Sequence, residues 1–350
     1  MNVLLLMDKL VTGGAEMYFV KLENTISNSQ VNLYTAAGNG DLYERIKHKS
    51  CFSMLSRKNH FANLLKIARI VKEKKIELIH ANCLRVALYA VLLKFFIPSL
   101  KIIYTKHNVT ILEKKYRKLF VNILNKYINS TITVSDYEKD NLVQMGVHQQ
   151  KVTTIHNGVD LTQFQFVDKE AKKLMYKVGI LARLSPEKNH SLFLKIANLL
   201  KEHRDIKFYI AGDGVERQKI EQEINDLDIS HNVELLGNVS TPQHFIKDMN
   251  VLVLTSFREV FPMTILEAMA VGTSVISIDV GGIKEAIAHG ENGYLIKDYN
   301  EQEFAERILY LKENKHIEDK FICVSREKVE KDFSLEKMVD KVEEQYLNCI

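Results

Sequence analysis

Two carboxylates, Glu259 and Glu267, stand eight positions apart in SFREVFPMTILEAMAVG, residues 256–272, on either side of a Phe-Pro step. Proline lacks an amide hydrogen and presets φ, so Pro262 suits the first turn of a helix and not its interior. Glu259 therefore falls on the loop before a helix. Glu267 falls inside it, among Ile265, Leu266, Ala268 and Met269, where a carboxylate needs hydrogen-bond donors to offset its desolvation. Acids so spaced can address two parts of one extended ligand, with the helix's first amides offered to an anion between them. A second pattern is cationic: Arg183 and Lys188, in GILARLSPEKNH, follow a strand-like run five residues apart in a Ser-Pro turn. Arginine grips a dianion bidentately and lysine as a point charge; exposed turn residues would look the same.

Other signals are weaker. Gly13 and Gly14 in VTGGAE permit a tight turn and close approach of backbone to a phosphate at a helix start, and a pair serving only the turn reads alike. The glycine turn AGDG, residues 211–214, is too common to specify a ligand. His107 in YTKHN follows the strand-like KIIYT and could hydrogen-bond a phosphate or a sugar hydroxyl in either protonation state, or be structural. The same holds for His156 in IHNGVD. Asp226-Leu227-Asp228 has the composition of a metal-binding pair but ends the helical pattern VERQKIEQEINDL rather than a strand, so no metal is expected there.

These residues need elements to hold them. Apolar runs at 3–7, 31–36, 78–82, 101–105, 131–135 and 151–156 alternate with amphipathic stretches such as AEMYFVKLENTI and NHFANLLKIARIVKEKK. The pattern restarts with runs at 176–182, 207–212, 233–237, 251–256 and 274–278. Such alternation predicts parallel sheets covered on both faces, α/β in class, in two doubly wound domains. Between them, HNGVDLTQFQFVDKEAKK loses periodicity and carries an Asn157-Gly158 turn, so a linker is expected near residues 160–175. Ligands of such sheets bind beyond the carboxyl ends of the strands, which is where Arg183, Lys188, Glu259 and His107 are expected.

A chain of 350 residues suggests two domains, and 46 % hydrophobic with 26 % charged residues excludes disordered and fibrous classes. Cys51, Cys83, Cys323 and Cys349 lack paired spacing, which argues against a zinc site or a disulfide framework and fits a reducing compartment. No signal peptide is read at the start, and the run from Val86 is cut by Lys94 and Pro98, too short to span a membrane. Net charge is +4, but residues 1–170 hold 24 Lys+Arg against 14 Asp+Glu and the remainder 24 against 30. Much of the surplus lies in residues 94–126, where Lys114, Lys115, Arg117 and Lys118 mix with Phe120, Ile123 and Leu124. That face is compatible with an anionic membrane surface or a negatively charged lipid-linked substrate, and equally with a solvated helix face.

Taken in order, GGAE, TKHN, IHNGVD, ARLSPEKN, IAGDG, FREVFPMTILEAMAVGTSVIS and GGIKEAIAHGENGYLI resemble the nucleotide-sugar glycosyltransferases of family 4. The resemblance covers nearly the whole chain. It implies the GT-B fold, two Rossmann-like domains facing across a cleft: residues 1–165 for the acceptor, with a terminal helix at 334–350 packing back on them, and 172–333 for the donor. It assigns Arg183 and Lys188 to the donor's diphosphate, with Gly14 approaching the same phosphates from the other domain. Glu267 would hold ribose hydroxyls and Glu259 hydroxyls of the transferred sugar, with backbone amides around Phe261, Met263 and Thr264 at the helix start. His107 matches a family histidine near sugar and phosphate.

The implied reaction is hexosyl transfer with retention, by a front-face route in which the leaving diphosphate helps deprotonate the acceptor, with no metal and no other cofactor. The expected donor is UDP-linked and the acceptor a lipid-linked oligosaccharide or polysaccharide of a surface glycan such as lipopolysaccharide or capsule. The expected place is the cytoplasm, peripheral to the inner face of the cell membrane, with no nucleic-acid partner. Closure on donor binding is expected from the two chain crossings between domains. One residue departs from the family pattern: Val260 stands where glycine is usual, and a positive φ there would be costly for a β-branched side chain. Two other classes compete. A non-catalytic GT-B-like scaffold subunit of a glycan-assembly complex would have eroded the charged residues, which are present. A nicotinamide-dependent dehydrogenase would need a G-x-G-x-x-G with its acid, which neither half contains.

Overall fold

The computed structural model describes residues 1–167 and 175–349. The chain forms two compact units: Met1–Asn157 with Leu335–Ile350, and Gly158–Ser334. The linker expected near residues 160–175 begins inside the second unit, and residues 168–174 lie outside the described ones.

The first unit is built on β1 (Asn2–Met7), β2 (Asn32–Gly38), β3 (Phe52–Leu55), β4 (Leu78–Ala81), β5 (Lys101–Lys106), β6 (Ser130–Thr133) and β7 (Val152–Thr154). They pair in parallel in the order β3-β2-β1-β4-β5-β6-β7. Helices α1 (Gly14–Thr25), α2 (His60–Glu73), α3 (Leu84–Lys94), α4 (Ile111–Lys115), α5 (Arg117–Tyr127) and α6 (Asp136–Met145) connect them. The run NVLLLM is apolar without alternation because both faces of β1 are covered. Leu4 and Leu6 pack with Ile67 of α2, Ala90 of α3 and Phe120 of α5 on one side. Val3, Leu5 and Met7 pack with Phe19 and Leu22 of α1 on the other. β3 escaped the sequence reading: it is an edge strand, FSML, with only its last residue buried.

The second unit holds β8 (Tyr176–Leu181), β9 (Ile206–Ala211), β10 (Val233–Gly237), β11 (Val251–Leu254), β12 (Ser274–Ile278) and β13 (Tyr294–Ile296). Their order is β10-β9-β8-β11-β12-β13, again parallel throughout. Its helices are α7 (His190–Leu199), α8 (Arg217–Asp226), α9 (Pro242–Asp248), α10 (Met263–Val271), α11 (Ile283–Ala286), α12 (Glu301–Glu313) and α13 (Lys315–Asp332). β13 also escaped prediction, being three residues long. In both sheets the chain winds outward from a central strand, then returns to wind the other way, so the crevice at the switch lies between β1 and β4 in one and β8 and β11 in the other.

The last helix, α14 (Leu335–Asn348), belongs to the first unit. Its Leu335, Met338, Val339, Val342 and Tyr346 are buried with the α1 side of that core. The Tyr346 hydroxyl meets Nδ1 of the fully buried His80 at 2.7 Å. Where the chain enters and leaves the second unit, Val159 donates its amide to Phe333 at 2.9 Å and bridges Ser334.

Candidate active site

In the second unit, the loops leaving β8 and β11 are stitched together at the switch crevice. The Thr255 hydroxyl donates to the carbonyls of Lys188 and Asn189, both at 3.0 Å, and the Phe257 amide donates to Glu187 at 2.8 Å. Asn189 turns the chain at φ 53°, in the left-handed region asparagine tolerates, and α7 begins at the next residue. On this frame the Lys188 ammonium donates to Glu259 Oε1 at 2.6 Å, and the Ser256 hydroxyl donates to the same oxygen at 2.6 Å. Glu259 is 9 % exposed. Its other oxygen, Oε2, has no partner among the described residues. Arg183, on the same loop, is exposed and forms no ion pair among the described residues. The sequence assigned Lys188 and Glu259 to separate ligand groups; in the structure they hold each other.

Glycines set the closeness of these loops. A Cβ on Gly212 (φ 140°) would lie 1.9 Å from the Ala182 carbonyl oxygen, so the AGDG turn serves to press the loop after β9 against the one bearing Arg183. A Cβ on Gly281 (φ 62°) would lie 1.8 Å from the carbonyl oxygen of Glu259. The loop after β12 thus supports the Glu259 backbone directly, and the Gly282 amide donates to the Val260 carbonyl at 3.1 Å. Val260 itself is not among the described residues with positive φ. The strain anticipated there is absent, and valine fits where the family usually has glycine.

Pro262 caps α10 rather than sitting within its first turn, one place earlier than the sequence suggested. Met263 and Thr264 are the helix's first residues, so their amides have no partner within it. Phe261 is 4 % exposed with its ring 5.4 Å from that of Phe333, which makes it a packing residue as far as its side chain goes. Glu267 is half-buried one turn along α10. Arg183, Lys188, Glu259 and the start of α10 are therefore neighbours on loops from adjacent central strands. Asp226 ends α8 and Asp228 lies in an exposed turn, away from those strand ends.

His107 and Gly14 lie in the first unit. The His107 ring sits edge-on to Tyr18, centroids 4.7 Å apart, and its Nε2 is buried without a partner among the described residues. Burial pushes its pKa from 6.5 down to about 3, so the imidazole is neutral in ordinary buffers. The preceding Lys106 is fully buried, 3.1 Å from Glu113 of α4 and bonded to Glu138 of α6. Thr110 and Glu113 form a capping box, and Ser135 caps the Glu138 amide, so both acids are fixed in place. No spacing rule in the sequence links these three residues, which come together only when β5 and β6 pair. Gly14 opens α1, and a Cβ there would meet nothing within 4 Å. His156 follows β7 and is half-buried.

Two family models match the chain: Glycosyltransferase Family 4 over residues 12–163 and Glycosyl transferases group 1 over residues 162–328. A poly(ribitol-phosphate) alpha-N-acetylglucosaminyltransferase of Staphylococcus aureus is 31 % identical over 65 % of this chain, which spans 45 % of that protein's length. An N-acetyl-alpha-D-glucosaminyl L-malate synthase of Bacillus anthracis is 24 % identical over 81 % of this chain and 78 % of its own. Among solved structures, HepE of Anabaena with UDP-glucose superposes with a TM-score of 0.86 at 19 % identity, covering 99 % of each chain, a likeness of fold. The chain belongs to the family 4 glycosyltransferases, with two Rossmann-like units of the GT-B type.

Proposed function

We propose that the protein transfers a hexose from a nucleoside-diphosphate sugar, UDP-linked, to a hydroxyl of a lipid-linked or polymeric acceptor in surface-glycan biosynthesis, with retention of configuration. The observation that carries this reading is the Lys188–Glu259 pair, at 2.6 Å, on joined loops at the switch crevice, beside an Arg183 that forms no ion pair among the described residues. In the proposed complex, Arg183 and Lys188 grip the diphosphate and the Met263 and Thr264 amides add the helix dipole. Glu259 turns from Lys188 to the sugar hydroxyls, and Glu267 takes the ribose. For Gly14, His107 and the amide near Phe261 the assignment rests on the family resemblance. The acceptor oxygen bonds to the anomeric carbon, the bond from that carbon to the diphosphate oxygen breaks with its electrons, and the acceptor's proton passes to the diphosphate.

Support for a UDP donor and an α-linked product comes from relatives: a TarM structure, 26 % identical, contains UDP and alpha-GlcNAc-glycerol, and the staphylococcal relative is an alpha-N-acetylglucosaminyltransferase. Sugars on UDP are commonly α-linked, so an α product means retention. Because two cations and a helix start face the leaving group, the proposed reaction is metal-independent, and transfer is expected to persist in excess EDTA. No described helix is long and apolar enough to cross a membrane. Phe120 and Leu124, expected on the basic face, are buried in the first unit's core, so the proposed cytoplasmic membrane contact uses instead the exposed Phe96, Ile111, Tyr116 and Leu119 among Lys114, Lys115, Arg117 and Lys118; sedimentation with anionic but not zwitterionic vesicles tests it. The reading as a whole is tested by sugar transfer in Lys188→Ala and Glu267→Ala. Losses of about 100-fold or more are expected, and two fully active variants would refute the site.

A further inference from the structure

Resting on that reading, we propose that the acceptor is phosphate-bearing, a polyol or glycan carrying phosphate groups, held by Arg57 and Lys58 at the carboxyl edge of the first unit's sheet. The loops after β1, β3 and β4 bring Lys9, Arg57, Lys58 and, in the first turn of α3, Arg85 to this edge. The carboxylates there are Asp8, Asp41 and Glu16. Asp8 takes both its oxygens to Arg85 at 2.8 Å, and Asp41 binds the amide and hydroxyl of Thr12. Glu16 lies in the first turn of α1. Arg57 and Lys58 are both exposed, and neither forms an ion pair among the described residues. Arg57 nevertheless lies close to the switch side: its Cγ is 3.4 Å from where a Cβ on Gly38 would stand, and that same point is 2.3 Å from the Asp8 carbonyl oxygen.

The two cations are also held in advance. Asn63, 5 % exposed, donates to the Ser56 carbonyl and accepts the Ser56 amide, each at 2.7 Å. The Ser56 hydroxyl in turn accepts the amides of Lys58 and Asn59. An arginine and a lysine on a stiff turn suit phosphate oxygens, because the turn's backbone has little entropy left to lose. A second, independent observation lies at the switch itself. Asn82, 1 % exposed at the exit of β4, donates Nδ2 to the Leu6 carbonyl at 3.4 Å and leaves Oδ1 buried without a partner among the described residues. An unpaired buried acceptor is costly until a donor reaches it, and a hydroxyl of the acceptor is such a donor.

The test uses the full chain with UDP at saturation, so that phosphates do not enter the donor site, and fluorescent oligo(glycerol phosphate) as the probe. Wild-type protein is expected to bind the probe, and Arg57→Gln/Lys58→Gln to bind it about tenfold or more weakly. Lys72→Gln/Lys75→Gln, two exposed lysines at the end of α2, is expected to bind as wild type does, and uncharged maltooligosaccharide not to compete. Glycerol 3-phosphate competing as well as the oligomer per phosphate would assign the site to a single phosphate; competition only by the oligomer would assign it to a phosphate chain. No binding by wild type, undiminished binding by the Arg57/Lys58 variant, or equal competition by the uncharged glycan would overturn the proposal. Failure of UDP itself to bind would instead refute the donor-site reading.

Discussion

At the scale of residues, the Lys188–Glu259 bond changes what each side chain does before a ligand arrives. The Lys188 ammonium keeps two further N–H donors beside its bond to Glu259, and the carboxylate offsets its charge, so in the proposed complex the pair would couple phosphate and sugar recognition. Glu259→Gln should therefore separate the two: UDP binding at least as tight as wild type, with transfer lower by about 100-fold or more. Calorimetry and a transfer assay on the same preparation check it. Buried histidines give a second prediction. Burial, with His107 nearby, pushes His80 from 6.5 down to about 3. The unfolded chain gains that proton below pH 6.5 and the folded chain does not. The stabilisation is thus complete above 6.5 and drains away as pH falls toward 3, by roughly 2 kcal/mol at pH 5. Urea unfolding at pH 7.5 and 5.0 should show this loss in wild type, and His80→Gln should lack that part of it. The charged pairs and glutamates could be picked out from sequence because strand ends and Pro262 place them. Their mutual bond could not, since it depends on how the Ser-Pro turn folds against the loop after β11.

At the scale of elements, the strands the sequence missed are short ones at sheet edges: β3, with only its last residue buried, and β13, fully buried but three residues long. The central strands announced themselves because both faces are covered. What no run of residues could announce is the packing of loop on loop. Gly281 marks such a contact, and Gly281→Ala should push the Glu259 carbonyl aside and lower transfer by about tenfold or more, since a wrong left-handed residue also costs about 1–3 kcal/mol. Circular dichroism should show the variant folded, which separates displacement from collapse. The Lys106 clamp is the other such device: it joins α4 and α6 to the strand end that presents His107. Lys106→Met strands two buried carboxylates and should destabilise the first unit by about 3–5 kcal/mol, measured by urea unfolding. Replacing Glu113 and Glu138 with Gln in the same chain should recover part of that loss.

At the scale of the molecule, the chain writes nearly the same strand order twice and then returns α14 to its first unit, where Tyr346 meets His80. The repeat was legible as two restarts of one apolar rhythm, and the return as the stripe Leu335, Met338, Val339, Val342 and Tyr346. The point of division falls at the Asn157–Gly158 turn inside the aperiodic stretch, just before the residues 160–175 expected for a linker, and Val159 already pairs with Ser334. Family membership fixes the class of chemistry, and the groups proposed to hold a nucleoside-diphosphate sugar lie in the second unit. The claim that Arg183 and Lys188 receive the donor's diphosphate is tested most directly by titrating UDP into the whole protein, in EDTA, and into its Lys188→Ala variant. Saturable binding by wild type, weakened about tenfold or more in the variant, is the expected result; no binding of UDP, or equal binding by both proteins, would contradict it.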